Sequence, residues 1–158
     1  MAAGGSPFAA NSEVAQSLKI FFTHHAIPDL PIIVLSYQPL LMRIQPTIMV
    51  DESAFDKELV ARAVKQHLQT TLALKQRQLG QALFRSSIIA LIEEVEGVEN
   101  ANCEIIGTYL PATKSINQAQ TFKGVDGEIR KITINPHQLL YLDTDIFALN
   151  IISKTFEI

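Results

Sequence analysis

Four histidines, one cysteine and two groups of acidic residues are the side chains through which this 158-residue chain could do metal, nucleophilic or acid–base chemistry. His24 and His25 are adjacent, so their side chains diverge. His67 falls near the apolar stripe of a helical pattern, and His137 follows Asn135-Pro136 in a turn. No two histidines stand four apart, as a helical zinc site needs, and a single cysteine forms no Cys-x-x-Cys pair. A nucleophilic Cys103 would need a neighbouring base and a lowered pKa. Within an apolar extended segment it is expected instead to be a buried small hydrophobe. Glu93, Glu94, Glu96 and Glu99 gather at the end of a helical pattern and read as a solvated face. Asp143 and Asp145 flank a tight turn, where aspartate is at home. The sequence holds no glycine-rich phosphate loop and no Gly-x-Ser-x-Gly elbow. The expectation is a protein that is not an enzyme, with no catalytic residue, cofactor or metal.

Those residues must be carried by a fold, and composition bounds it. Charged residues make up 18% and apolar ones 47%, with a formal net charge of -3. Without a run of Lys or Arg, nucleic acid is not an expected partner. One cysteine excludes an internal disulfide. No apolar run approaches the roughly 20 residues of a membrane helix, so membrane insertion is not expected. Residues 1–11, rich in small residues, are expected to be a flexible tail or linker. Residues 12–158 are expected to form one α+β domain, large enough to bury about 70% of its unfolded surface.

Asn11 or Ser12 can cap a first helix whose Val14, Leu18, Phe21 and Phe22 share one face. Pro28 and Pro31 break it. Ile32 to Leu35 reads as a short strand, and Met42 to Val50 as the clearest one. There Met42, Ile44, Ile48 and Val50 alternate with Arg43, Gln45 and Thr47, and Pro46 suggests an edge strand or a bulge. Asp51-Glu52-Ser53 starts a long helix, with Ser53 and Asp56 resembling a capping box. Its stripe is Val60, Val64, Leu68 and Leu72, widened by Phe55, Leu59 and Ala63. A second helix carries Phe84, Ile88, Leu91, Ile92 and Val95, with Gly97 as its left-handed cap. A strand runs from about Asn102 to Tyr109, then a long loop or loose hairpin from Pro111 to Glu128. Ile129 to Ile134 is a strand, and Gln138 to Leu142 pairs with Ile146 to Thr155 as a hairpin. The fold class is α+β: a mixed or mostly antiparallel sheet of about five strands, with two or three helices mainly on one face.

Ile32 to Leu35, Leu139 to Leu142 and Ile146 to Ile152 are apolar on both faces. Either the chain's own helices cover both sides, or a partner covers the second. On the partner reading, Tyr141, Phe147, Leu149 and Ile151 are the candidate interface residues, and lysine at Phe147 or Leu149 should disrupt association but not folding.

Three stretches carry a resemblance: Met42-Arg43-Ile44-Gln45-Pro46-Thr47-Ile48-Met49-Val50-Asp51, then Gln78-Leu79-Gly80-Gln81-Ala82-Leu83-Phe84-Arg85-Ser86-Ser87-Ile88, then Glu94-Val95-Glu96-Gly97-Val98-Glu99. With Asn135-Pro136-His137-Gln138-Leu139-Leu140-Tyr141-Leu142 near the end, residues 12 to 156 resemble the C-terminal region of the J-like baseplate proteins of contractile phage tails and related contractile injection systems. The resemblance implies a structural wedge subunit, made in the bacterial cytoplasm and built into a tail baseplate or related machine. It implies other wedge proteins, a second copy, or both as partners. Family members are usually much longer, and the stretch Thr113 to Glu128 matches no family motif. A small ligand-binding or regulatory α+β module that dimerises is the alternative, and it requires a concave pocket with convergent polar groups.

Overall fold

A single long strand, β1 (Gln38–Val50), organises the molecule because its side chains alternate between a core and a far face. The computed structural model describes residues 7–9, 11–25, 33–143 and 149–153. Within them the order is α1 (Glu13–His25), β1, α2 (Lys57–Thr71), a 3-10 turn (Leu74–Gln76), β2 (Leu83–Phe84), α3 (Arg85–Glu93), β3 (Val98–Tyr109), β4 (Thr121–Lys123), β5 (Ile129–Ile132), β6 (Gln138–Leu142) and β7 (Asn150–Ser153). The class is α+β, with a four-stranded mixed sheet and a three-stranded antiparallel one. Among the described residues the main sheet has four strands, close to the five expected, and β2, β5 and β4 form a sheet of their own.

Met42, Ile44, Ile48 and Val50 face the core, where Val60, Val64, Leu68 and Leu72 of α2 and Ile88 and Ile92 of α3 bury against the same cluster. Each such aliphatic side chain contributes about 1.5–3 kcal/mol when fully removed from water. The α2 helix starts later than its acidic lead-in suggested. Asp56 is the cap, and its Oδ1 accepts from the main-chain N–H of Glu58 at 2.9 Å and of Leu59 at 3.0 Å. Asp51 instead holds Ser53, accepting its N–H at 2.9 Å. The stripe is also narrower than expected: Phe55, Leu59 and Ala63 are exposed. Phe84 lies in β2, outside α3, and its ring is exposed.

Antiparallel β3 covers one edge of β1 along nearly its whole length. The other edge receives two parallel strands in line: β6 opposite 38–42 and β7 opposite 47–50. The register offset is 138 − 38 = 100 for β6 and 150 − 47 = 103 for β7. The expected hairpin is therefore replaced: β6 and β7 each pair with β1, whose unbroken length offers both a place. Pro46 sits opposite Cys103, in the interval 43–46 between the two parallel ladders. Cys103 spends its own N–H and C=O on side chains, so this is a non-hydrogen-bonded pair. Pro46 therefore turns its nitrogen away from β3, toward the interval between the two parallel ladders. A central strand thus accommodates the proline that suggested an edge.

Residues 33–35 have no regular structure, so the expected strand there is absent, and Ile32 lies outside the described residues. The segment expected to be a loop or loose hairpin resolves into an irregular strap and a β4–β5 hairpin. Gly107, at φ +149, lets the strap close on β3; a Cβ there would sit 2.8 Å from Ile116 Cγ2.

Candidate assembly interface

The histidines, the cysteine and the acidic groups are spread over the molecule. His25 Nδ1 donates to the Phe21 carbonyl at 2.8 Å and stacks on the Phe21 ring. His67 Nε2 lies 3.2 Å from Glu94 Oε2 on α3's end, and His137 is exposed in a turn. Glu93, Glu94, Glu96 and Glu99 are all exposed. Cys103 is fully buried in β3, and burial pushes its thiol up to about 12. Asp143 is buried at the end of β6, while Asp145 lies outside the described residues. Among the described residues no three His, Cys, Asp or Glu side chains gather as a metal site, and no helix is long and apolar enough to cross a membrane.

The polar centre that the fold does build is Arg85, which the sequence reading passed over. Its guanidinium is buried, with Nε donating to the Cys103 carbonyl at 2.6 Å and Nη2 to Asn102 Oδ1 at 2.5 Å. Nη1 meets Glu128, whose carboxylate also lies 3.6 Å from Arg130. Arg85 is the only charged residue between Ala82 and Ile92. A lone cation in an apolar run was the available signal. Its role is structural: it ties the β4–β5 hairpin to β3 and satisfies an outward-facing carbonyl.

That contact is one of several that guard the main sheet's edges. On β3, Gln118 Nε2 donates to the Ile106 carbonyl at 2.7 Å, and Thr108 exchanges two main-chain bonds with Asn117. On β6, Gly80 N–H donates to the Gln138 carbonyl at 2.9 Å and Arg77 Nε to the Leu140 carbonyl at 3.1 Å. Leu142 N–H completes that edge by donating to Leu72 at 3.1 Å. The β7 strand has no such guard among the described residues.

Exposed apolar side chains are the other feature. On α1, Val14, Phe21 and Phe22 are exposed while Ala15 is buried, and Ile33 and Leu35 stand beside them at 78% and 66% exposure. Leu18, Phe22, Ile33 to Tyr37 and Pro136 line an open groove of about 630 Å³. On the small sheet, Phe84 and Phe122 flank Lys131 in register, with Lys131 Nζ 4.9 Å from the Phe84 ring centre. The opposite face of that sheet buries Leu83 and Ile132 in the core.

The four candidate interface residues divide. Tyr141 is half-buried on β6, whose Leu139 and Leu140 are buried on opposite faces by the chain itself. Leu149 is half-buried and packs against the core, and Ile151 is exposed on β7. Phe147 lies outside the described residues. The structure brings Leu149 and Ile151 to the β7 end and places Tyr141 at the β6 end.

A cavity of about 420 Å³ opens under the strap, lined by Gln38, Gln120, Gln138, Asn117 and Tyr109 among others. Its amides already bond one another: Gln138 Nε2 donates to Gln38 Oε1 at 2.6 Å, and Gln120 Nε2 to Gln138 Oε1 at 3.2 Å. No protein-family model matches this chain, and a comparison with curated proteins gives no match.

Proposed function

We propose that this chain is a structural subunit or domain of a contractile-tail baseplate wedge that works through protein–protein assembly rather than catalysis. The observation that carries this reading is the amount of apolar surface left uncovered by a chain with a complete core of its own. Phe22, Ile33 and Leu35 line one groove with Leu18; Val14 and Phe21 are exposed on the same helix; and Phe84 and Phe122 are exposed together on the small sheet. Contiguous apolar surface of this kind marks an interaction site in a folded monomer. The resemblance of residues 12 to 156 to the J-like baseplate proteins supplies the kind of machine and the partners: other wedge proteins, a second copy, or both. Co-expression with a wedge protein from the same gene neighbourhood tests it. A stoichiometric complex that survives size-exclusion chromatography, and that Phe21→Ser with Phe22→Ser weakens, is the expected result. Separate elution of two folded proteins contradicts it.

The second reading is a small ligand-binding module that dimerises, and the strap cavity is the feature that favours it. The buried Tyr109 hydroxyl has no hydrogen-bond partner among the described residues. The cavity's three glutamines already bond one another in a chain, which leaves the assembly reading ahead.

A further inference from the structure

An open sheet edge specifies its occupant more narrowly than an apolar face does. Its main-chain N–H and C=O groups are satisfied only by another strand or by water. Named donors and acceptors meet the outer edge of β3 at Cys103, Ile106 and Thr108 and that of β6 at Gln138, Leu140 and Leu142, whereas the outer edge of β7 meets none among the described residues. Asn150-Ile151-Ile152-Ser153 contains no charge and no proline, two of the devices by which proteins guard such an edge. Its register on β1 places Ile151 opposite Ile48 on the core face and Ile152 opposite Met49 on the far face. Both remain open to solvent, at 37% and 49% exposure. The strand therefore offers hydrogen-bonding groups along its rim and an isoleucine on each face.

We infer that β7 pairs antiparallel with β7 of a second copy of this chain, joining the two four-stranded sheets into one across a two-fold axis. The inference rests on the assembly reading and gives it a partner and a place. A second copy fits better than a foreign strand for two reasons. A two-fold pairing closes both open edges at once, whereas a foreign strand brings a further edge that must itself be closed. The strand is also uncharged, so two copies meet without like-charge repulsion. A two-fold axis perpendicular to the sheet keeps each side chain on its own face, so Ile151 meets Ile151 of the second copy, or Ile152 meets Ile152. A four-residue ladder is short for a permanent dimer, so the pairing is reversible and concentration-dependent.

Hydrogen exchange of the 150–153 amides, followed across a protein concentration series with light scattering on the same samples, tests this. Exchange at those amides should slow as the dimer fills. Ile152→Lys, on the far face and away from the core, should raise the dimer dissociation constant by about tenfold through the lost apolar pair and the like charges brought together. Ile151→Lys should do the same, and Ile152→Val should leave association near wild type. Dimerisation that both lysine variants leave unchanged, without slowing at 150–153, overturns the β7 pairing while assembly through another surface stands. Slowing that appears only when a wedge partner is added also overturns it, since the edge then belongs to a foreign strand. A chain that is monomeric throughout overturns it as well, and if that chain also ignores the wedge partner, the assembly reading falls separately.

Discussion

In α1, Val14, Leu18, Phe21 and Phe22 recur at helical spacing; in α2, Val60, Val64, Leu68 and Leu72 do the same. The α2 set is buried against β1 and α3, while three of the four α1 residues are exposed. The pattern is equivalent and the outcome opposite. A stripe tells which face of a helix avoids water but not what covers that face. In α2 the cover is the chain's own sheet. In α1 the apolar face continues into Ile33 and Leu35, and on the proposed function a partner covers it.

The sharpest way to break this comparison is to truncate one residue from each stripe. Leu68→Ala should cost about 2–5 kcal/mol in denaturant unfolding, as for a fully buried leucine, whereas Phe22→Ala should change stability by less than about 0.5 kcal/mol. Equal costs would mean that α1 is as much core as α2. Next in size, Arg85→Met should cost about 1–3 kcal/mol, because it leaves the Cys103 carbonyl without its donor. Gly97→Ala should cost about 1–3 kcal/mol, since φ is +94 and the new Cβ would stand 2.7 Å from Val60 Cγ2. That loss falls on α2's packing and should spare α1, which hydrogen exchange resolved to the amides of the two helices would separate.

Smaller effects concern titration. The Leu59 N–H foremost, with that of Glu58, holds the Asp56 carboxyl below its ordinary value of 3.8. A lowered folded-state pKa means stability that is present above the unfolded value and lost as pH falls through the folded one. Asp56→Ala should therefore lower the thermal midpoint at neutral pH and flatten the acid limb of the stability curve below about pH 4. No comparable cap effect is expected at α1, where Ser12 Oγ accepts the Ala15 N–H at 3.3 Å and carries no charge. Least of all, Cys103 should resist thiol reagents in the native protein and react only on unfolding, its thiol being buried and held at about 12.

Much of the fold was legible because local pattern and burial agree. The alternation of Met42 to Val50, the α2 stripe, the glycine turn at Gly97 and strand β6 all reappear in the structure. What was hidden is long-range. Pro46 looked like an edge signal because sequence does not show a two-strand relay along β1 with an interval at the proline. Gln138 to Leu142 and the strand after it looked like a hairpin because they are neighbours in sequence, yet parallel pairing to β1 serves both. Arg85 was hidden because its partners, Asn102, Cys103 and Glu128, lie on other elements. The apolar β7 end was legible as residues, through Leu149 and Ile151, but its open edge was not, since an edge is defined only by which strands are already paired.

The central claim is that the uncovered apolar surface exists to be covered by other proteins. Its most direct test is the solution mass of the chain by light scattering over a concentration series, alone and mixed with a wedge protein from its gene neighbourhood. The account predicts a mass above that of the 17.5 kDa monomer in at least one of the two series, and a weaker complex with the wedge protein when Phe21 and Phe22 are both made serine. A mass that stays at the monomer in both series, with the protein folded throughout, would contradict it.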